Sequence, residues 1–150
     1  MQQVRAAALS NYAEVARALG LDPFAQLRAA GLDRGCLEDP ELRIPAARVH
    51  TLLEASAQAS GAEDFGLRMG MSRRLSNLGL IALAAREEPT VRAAVLCLQR
   101  TLHLHNEALG IVIEEANGIA VFSGQVLARI DGPARQAVEL TVAVLFRCLR

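Results

Sequence analysis

Apolar positions recur first at helical spacing, then in strict alternation, then at helical spacing again. Leu9, Tyr12, Val15, Ala16 and Leu19 share one stripe and predict a helix over Ala7–Leu19, closed by Gly20. Asp22 as a cap and Pro23 in the first turn open a second helix, which buries Phe24, Leu27 and Ala30 and stops at Gly31. These two form a hairpin. Leu32–Leu42, with Gly35 and Pro40, reads as a polar connector. Ile44-Pro45 opens a third helix running to about Ser60 on Val49, Leu52, Leu53, Ser56 and Ala59, closed by Gly61. Asp64–Met71 is a short fourth helix. Leu78–Ala85 is a fifth, almost wholly apolar and therefore predicted to be buried all round. Pro89-Thr90 opens a sixth, predicted to reach Ala108 on a stripe of Val91, Ala94, Val95, Leu98, Thr101, Leu102 and His105.

The period then changes. Residues flanking Asn117-Gly118 alternate apolar and polar, and Asn-Gly suits a type I′ turn because both positions need positive φ. Ile111 and Ile113 face one side, with Ile119, Val121 and Ser123 as the candidates opposite. Gly132-Pro133 opens a final, strongly apolar helix that reaches Arg150 without a cap. That uncapped end predicts a domain cut from a longer protein, with the apolar helix serving as a core element or a dimer surface. The fold class is α+β, mainly helical: about seven helices with a β-hairpin or small antiparallel sheet packed on them, forming one domain over residues 1–150.

Composition narrows the function classes. A chain of 150 residues can bury a real core, here built of Leu, Val, Ile and Ala because aromatics are only 3%. Net charge is zero and all 16 basic residues are Arg, interspersed with acids, so this segment is not expected to read nucleic acid itself. Cys36, Cys97 and Cys148 form no CxxC or Cys/His cluster. Their odd number argues for a reducing compartment and for thiols used as small buried apolar groups. The first twenty residues lack the apolar core of a signal peptide, and no run is long enough to span a membrane, so the expected location is cytoplasmic.

Catalytic chemistry finds no foothold. His103 and His105 lie two apart on a predicted helix and do not share a face, so no metal site is expected. His105 falls on the core stripe and His103 off it; either, with Asn106, could instead anchor a ligand in a mostly apolar pocket. Glu87-Glu88 and Glu114-Glu115 diverge as neighbours and read as solvated. The glycines of "GLRMGMS" have no lysine and follow no strand, so they do not cradle phosphate. Arg73-Arg74 reads as surface charge, or alternatively as an anion or partner contact. No enzyme activity and no cofactor are expected.

Three glycines in "EDFGLRMGMSRRLSNLGLIALA" remain: Gly70 suits a helix end, while Gly66 and Gly79 suit close packing. The ordered series Leu52-Leu53-Glu54, Phe65-Gly66-Leu67-Arg68-Met69-Gly70, Leu78-Gly79, Pro89-Thr90, and a helix carrying Ala94, Leu98 and Arg100 before the hairpin resembles the N-terminal effector-sensing (arabinose-binding-type) domain of AraC-family transcriptional regulators, of the ornithine-utilisation-regulator-like branch. The match runs from about Ile44 to Val121. It departs at Ser76-Asn77, where a further glycine is common, and at Thr101-Leu102, where an aromatic commonly follows the arginine. The resemblance implies a bacterial regulator whose domain binds a small-molecule effector, forms a homodimer, and touches DNA only through a C-terminal helix-turn-helix domain outside this chain. A ligand-free protein-interaction or oligomerisation module is the alternative. The helix faces that meet the hairpin select Leu78, Leu102, His105, Asn106 and Ile111 as ligand-binding candidates.

Overall fold

The computed structural model describes residues 1–127 and 131–150. Among the described residues it holds seven α-helices and two two-stranded antiparallel sheets, an α+β fold dominated by helices.

The N-terminus departs from a single helix. Gln3–Arg5 is a strand, β1, which pairs with β2 (Arg43–Pro45) through Val4 opposite Ile44. Three-residue strands are too short to show a period, and Pro45 reads equally well as a helix opener; here it ends β2 and caps the next helix. Ala6–Leu9 follows as a 3-10 turn, and α-helix begins only at Tyr12. The break is Asn11, left-handed at φ 60°, whose side-chain amide donates to the carbonyl of Met69 (3.2 Å) and to Ser72. Tertiary contact thus overrides local helical pattern. Helix α1 (Tyr12–Ala18) and α2 (Pro23–Ala29) form the expected hairpin, and Asp22 accepts from the amides of Phe24 and Ala25. The connector contains a 3-10 turn, Arg34–Leu37, that buries Cys36.

Helix α3 (Ala46–Ser60) crosses the first core, where Tyr12, Leu27, Leu52, Leu53, Phe65 and Met69 are almost wholly buried. Tyr12 bonds Ser56 Oγ at 2.8 Å within it. Helix α4 (Phe65–Met71) lies against α7 (Arg135–Leu149) at backbone distance. A Cβ at Gly66 would meet the backbone of Gln136, whose carbonyl carbon lies 2.9 Å away, and one at Gly70 would overlap the methyl of Ala143. Gly70 is therefore a packing glycine inside α4, which Ser72 caps. Gln136 locks the junction: its Oε1 accepts from Gly66 N (2.7 Å), its Nε2 donates to Glu63 O (2.8 Å), and its own amide donates to Glu54 (2.8 Å).

The second core joins α5 (Leu80–Arg86), α6 (Val91–Thr101) and the hairpin. Leu78 belongs to a preceding 3-10 turn, and Gly79, at φ 65° and ψ −132°, turns the chain into α5. Contrary to the all-round burial expected of it, α5 hides Ile81, Ala82 and Ala85 but leaves Leu80 and Leu83 at 82% and 58% exposure. Apolar composition does not dictate burial, and no described element packs on that outer face. Helix α6 also ends earlier than Ala108. After Thr101 a 3-10 turn over Leu102–Leu104 leads into further turns around an isolated bridge, because Asn106 bridges Val4 and the carbonyl of His105 accepts from Arg5 N at 2.8 Å.

Strands β3 (Leu109–Ala116) and β4 (Ile119–Val126) turn at Asn117-Gly118, with φ of 53° and 76° as a type I′ turn requires. The register sets Gly124 and Phe122 across from Ile111 and Ile113. Ile119, Val121 and Ser123 instead pair with Ala116, Glu114 and Val112 on the other face, and Ile119 and Val121 are exposed. Helix α7 spans both cores: Ala137 and Leu140 belong to the first, Leu145 and Cys148 to the second. Val138, Val142, Phe146 and Leu149 form an exposed row on its outer side.

Candidate functional site

A cavity of about 90 Å³ lies in the seam between the cores. Helix α3 supplies Val49, His50 and Leu53 to its wall. The inner side of α7 supplies Ala137, Leu140, Thr141, Val144, Leu145 and Cys148, and the root of the hairpin supplies Leu109 and Ile111. Val4, Ala8, Arg73, Asn77 and Leu98 complete it along with Ala46, Leu78, Leu102, His105 and Asn106. All five candidates from the helix faces, Leu78, Leu102, His105, Asn106 and Ile111, therefore border one space. A second cavity of about 140 Å³ shares Leu98, Ile111, Leu145 and Cys148 with the first and adds Leu75, Ala85, Val95 and Phe122 among its walls.

The polar groups come from places where periodicity carries no signal. His105 is buried, and its Nδ1 lies 3.0 Å from a guanidinium nitrogen of Arg5. Arginine can only donate, so Nδ1 accepts and the ring proton sits on Nε2. Burial, then the charges of Arg5, Arg73 and Arg43, push the pKa of His105 down to about 4, and the ring is neutral. Asn106 Oδ1 is engaged locally by the amide of Ala108 at 2.8 Å. His50 is also buried and held neutral, and its Nδ1 has no partner. His103 is exposed.

Arg73 corrects the surface-charge reading. It is 4% exposed, donates to the carbonyls of Ala7 (2.8 Å) and Ala8, and has a buried Nε without a partner. Desolvation pulls its pKa down to about 10, so it stays charged at neutral pH. The neighbouring cations are compensated: Arg5 pairs with Glu41, and Arg43 with Glu107 at 2.8 Å. Among the described residues Arg73 has no such partner. Its exposed neighbour Arg74 fits the surface reading. Sequence reasoning missed the placement of Arg73 because the connector has no period; the missed wall of α7 was a matter of topology.

The arrangement is a mostly apolar cavity with a few inward polar groups and no reactive thiol. Burial raises the thiol pKa of Cys148, on the wall, and of Cys36, so neither is an activated nucleophile. Among the described residues no three His, Cys, Asp or Glu side chains cluster as a metal site, and no helix is long and apolar enough to cross a membrane.

Comparison with known proteins gives the family of the chain. The HTH-type transcriptional regulator VirS of Mycobacterium tuberculosis, in strains CDC 1551 and H37Rv, is 32% identical over 110 residues, covering 73% of this chain and 32% of the relative. The matched stretch thus spans about a third of that regulator. The model of the arabinose-binding domain of AraC transcription regulators, N-terminal, matches residues 20–150, and the chain belongs to that family.

Proposed function

We propose that this chain is the effector-sensing and self-associating domain of an AraC-type regulator, and that it controls a separate C-terminal DNA-binding domain. One observation carries the proposal: the cavity sits at the seam of two cores, and α7 closes both. A molecule held there touches both halves of the fold, and any difference in its affinity between two arrangements of the seam shifts their populations. The zero net charge supports leaving DNA contact to another domain. Self-association would use the exposed row Val138, Val142, Phe146 and Leu149, covered by a second copy.

The test is a thermal-shift screen of the purified protein against amino acids, fatty acids and aromatic acids, repeated on Val144→Trp, which fills the cavity. A compound that raises the melting temperature of the parent and not of the variant supports sensing. If no compound shifts the parent, or the shift survives the filled cavity, sensing at this site is refuted. A protein-interaction module without ligand is then favoured, on the strength of the same exposed row.

A further inference from the structure

The cavity and the charge on it that is uncompensated among the described residues define a ligand class. We propose that the cavity takes a monocarboxylic acid with an apolar tail, its carboxylate against Arg73 and its tail running past Leu98, Ile111 and Leu145 into the second cavity. This deepens the sensing reading and rests on it.

Three observations converge. Arg73 is a guanidinium more than nine-tenths buried, answered among the described residues only by the neutral carbonyls of Ala7 and Ala8, with Nε unpartnered. A buried cation without a counter-charge is costly, and an anion delivered by a ligand removes that cost. No acidic side chain lines either cavity among the described residues. Next, the other polar groups are neutral, and the tautomer imposed on His105 by Arg5 leaves Nε2–H as a donor suited to a carboxylate oxygen. A single net positive charge fits a single negative one. The ammonium of a free amino acid would meet no carboxylate, and a dicarboxylate would bury a second charge without an answering cation. Finally, everything beyond the shared wall of Leu98, Ile111, Leu145 and Cys148 is apolar, which suits an alkyl tail and offers a sugar nothing to bond.

The probe is octanoate, set against octanol and octylamine, which keep the tail and change the head. Binding is measured by calorimetry and thermal shift on the parent protein, Arg73→Lys and Arg73→Gln. Octanoate is expected to bind, octanol and octylamine to bind at least tenfold more weakly, and Arg73→Gln to lose at least tenfold for octanoate alone, with Arg73→Lys between. Arg73 also ties down Ala7 and Ala8, so Arg73→Gln can fail to fold. The comparison of head groups on the parent then decides. Equal binding of octanol or octylamine overturns the proposal while leaving a working cavity, as does undiminished octanoate binding by a folded Arg73→Gln. If all three probes fail and an amino acid or sugar shifts the melting temperature, the ligand class is wrong and the sensing reading stands. If nothing binds, both fall.

Discussion

The seam between α4 and α7 makes a prediction that stability measurements can refute. Gly70→Ala places a methyl onto that of Ala143, with Leu140 O also at 3.1 Å and Ala143 Cα at 3.4 Å. Carbon atoms pack comfortably at about 3.5–4.0 Å, so the helices must part. Overpacking costs about 1–3 kcal/mol, and a methyl set on a methyl takes the upper part of that range, about 2–3 kcal/mol; alanine for glycine within a helix returns about 1 kcal/mol, which leaves a net loss of about 1–2 kcal/mol. Ala143→Gly costs about 1 kcal/mol of helix propensity and about 0.8 kcal/mol for a buried methyl, close to 2 kcal/mol. Were the sites independent, the double variant would lose about 3–4 kcal/mol. The structure says otherwise. With residue 143 reduced to glycine, the nearest atoms to the new methyl are those at 3.1 and 3.4 Å, a tight contact that small shifts relieve. The swap returns one methyl to the interface, and the double variant should lose only about 1–2 kcal/mol, a coupling of about 2 kcal/mol. Urea unfolding of the four proteins reads this directly. Additivity within about 0.5 kcal/mol would refute the packing argument. Gly66→Ala is the control: its clash is with the backbone of Gln136, so no side-chain substitution on α7 should rescue it.

Other outcomes follow from buried polar groups and from one backbone conformation. His105 has a folded pKa near 4 against 6.5 when exposed, so the unfolded chain takes up a proton that the folded one refuses. Stability is full above about pH 6.5 and falls as pH drops toward 4, by about 3 kcal/mol in all, with His50 adding in the same direction. Melting temperatures from pH 7.5 to 4.5 test this, and His105→Gln should flatten the slope. Tyr12→Phe leaves the buried Ser56 hydroxyl without its partner and should cost about 1–2 kcal/mol in urea unfolding, more than Tyr12→Phe costs in a Ser56→Ala background. Gly79→Ala forces a side chain into φ 65°, ψ −132°, where its Cβ would stand 2.8 Å from the Arg5 guanidinium; a loss of about 2 kcal/mol is expected, and an unchanged midpoint would show that the turn relaxes freely. Phe146→Asp should lower the sedimentation coefficient at high concentration if the outer row of α7 joins two copies, while a monomeric parent would end that idea.

What periodicity could reveal here was set by length. The long stripes of α3, α6 and α7 and the Asn117-Gly118 turn stand out, because a buried face or a required positive φ leaves a pattern in residue type. Strands β1 and β2 carry too few residues for any period. The early stop of α6 and the break at Asn11 are imposed by partners distant in the chain, Arg5 and Met69 respectively, so no local window contains the cause. The same split runs through the cavity. Leu78, Leu102, His105, Asn106 and Ile111 could be placed from helix faces meeting the hairpin. Arg73 and His50 could not, since a buried arginine and a surface one look alike in a sequence. Nor could the inner side of α7, whose crossing over both cores is a matter of topology.

Helix α7 behaves as a beam clamped at one end. Along its first half, backbone-level contact with Gly66 and Gly70 and the bonds of Gln136 forbid sliding. Along its second half, contact is made by side chains, Leu145 and Cys148, which can yield by rotamer change. Leu149 lies six residues past Ala143, about 9 Å at helical rise, so a tilt of about 10° about Ala143 carries it by about 1.5 Å. On the proposed sensing function, a ligand that fills the seam would act as leverage at the far tip of the helix and would tilt the outward row ending at Leu149.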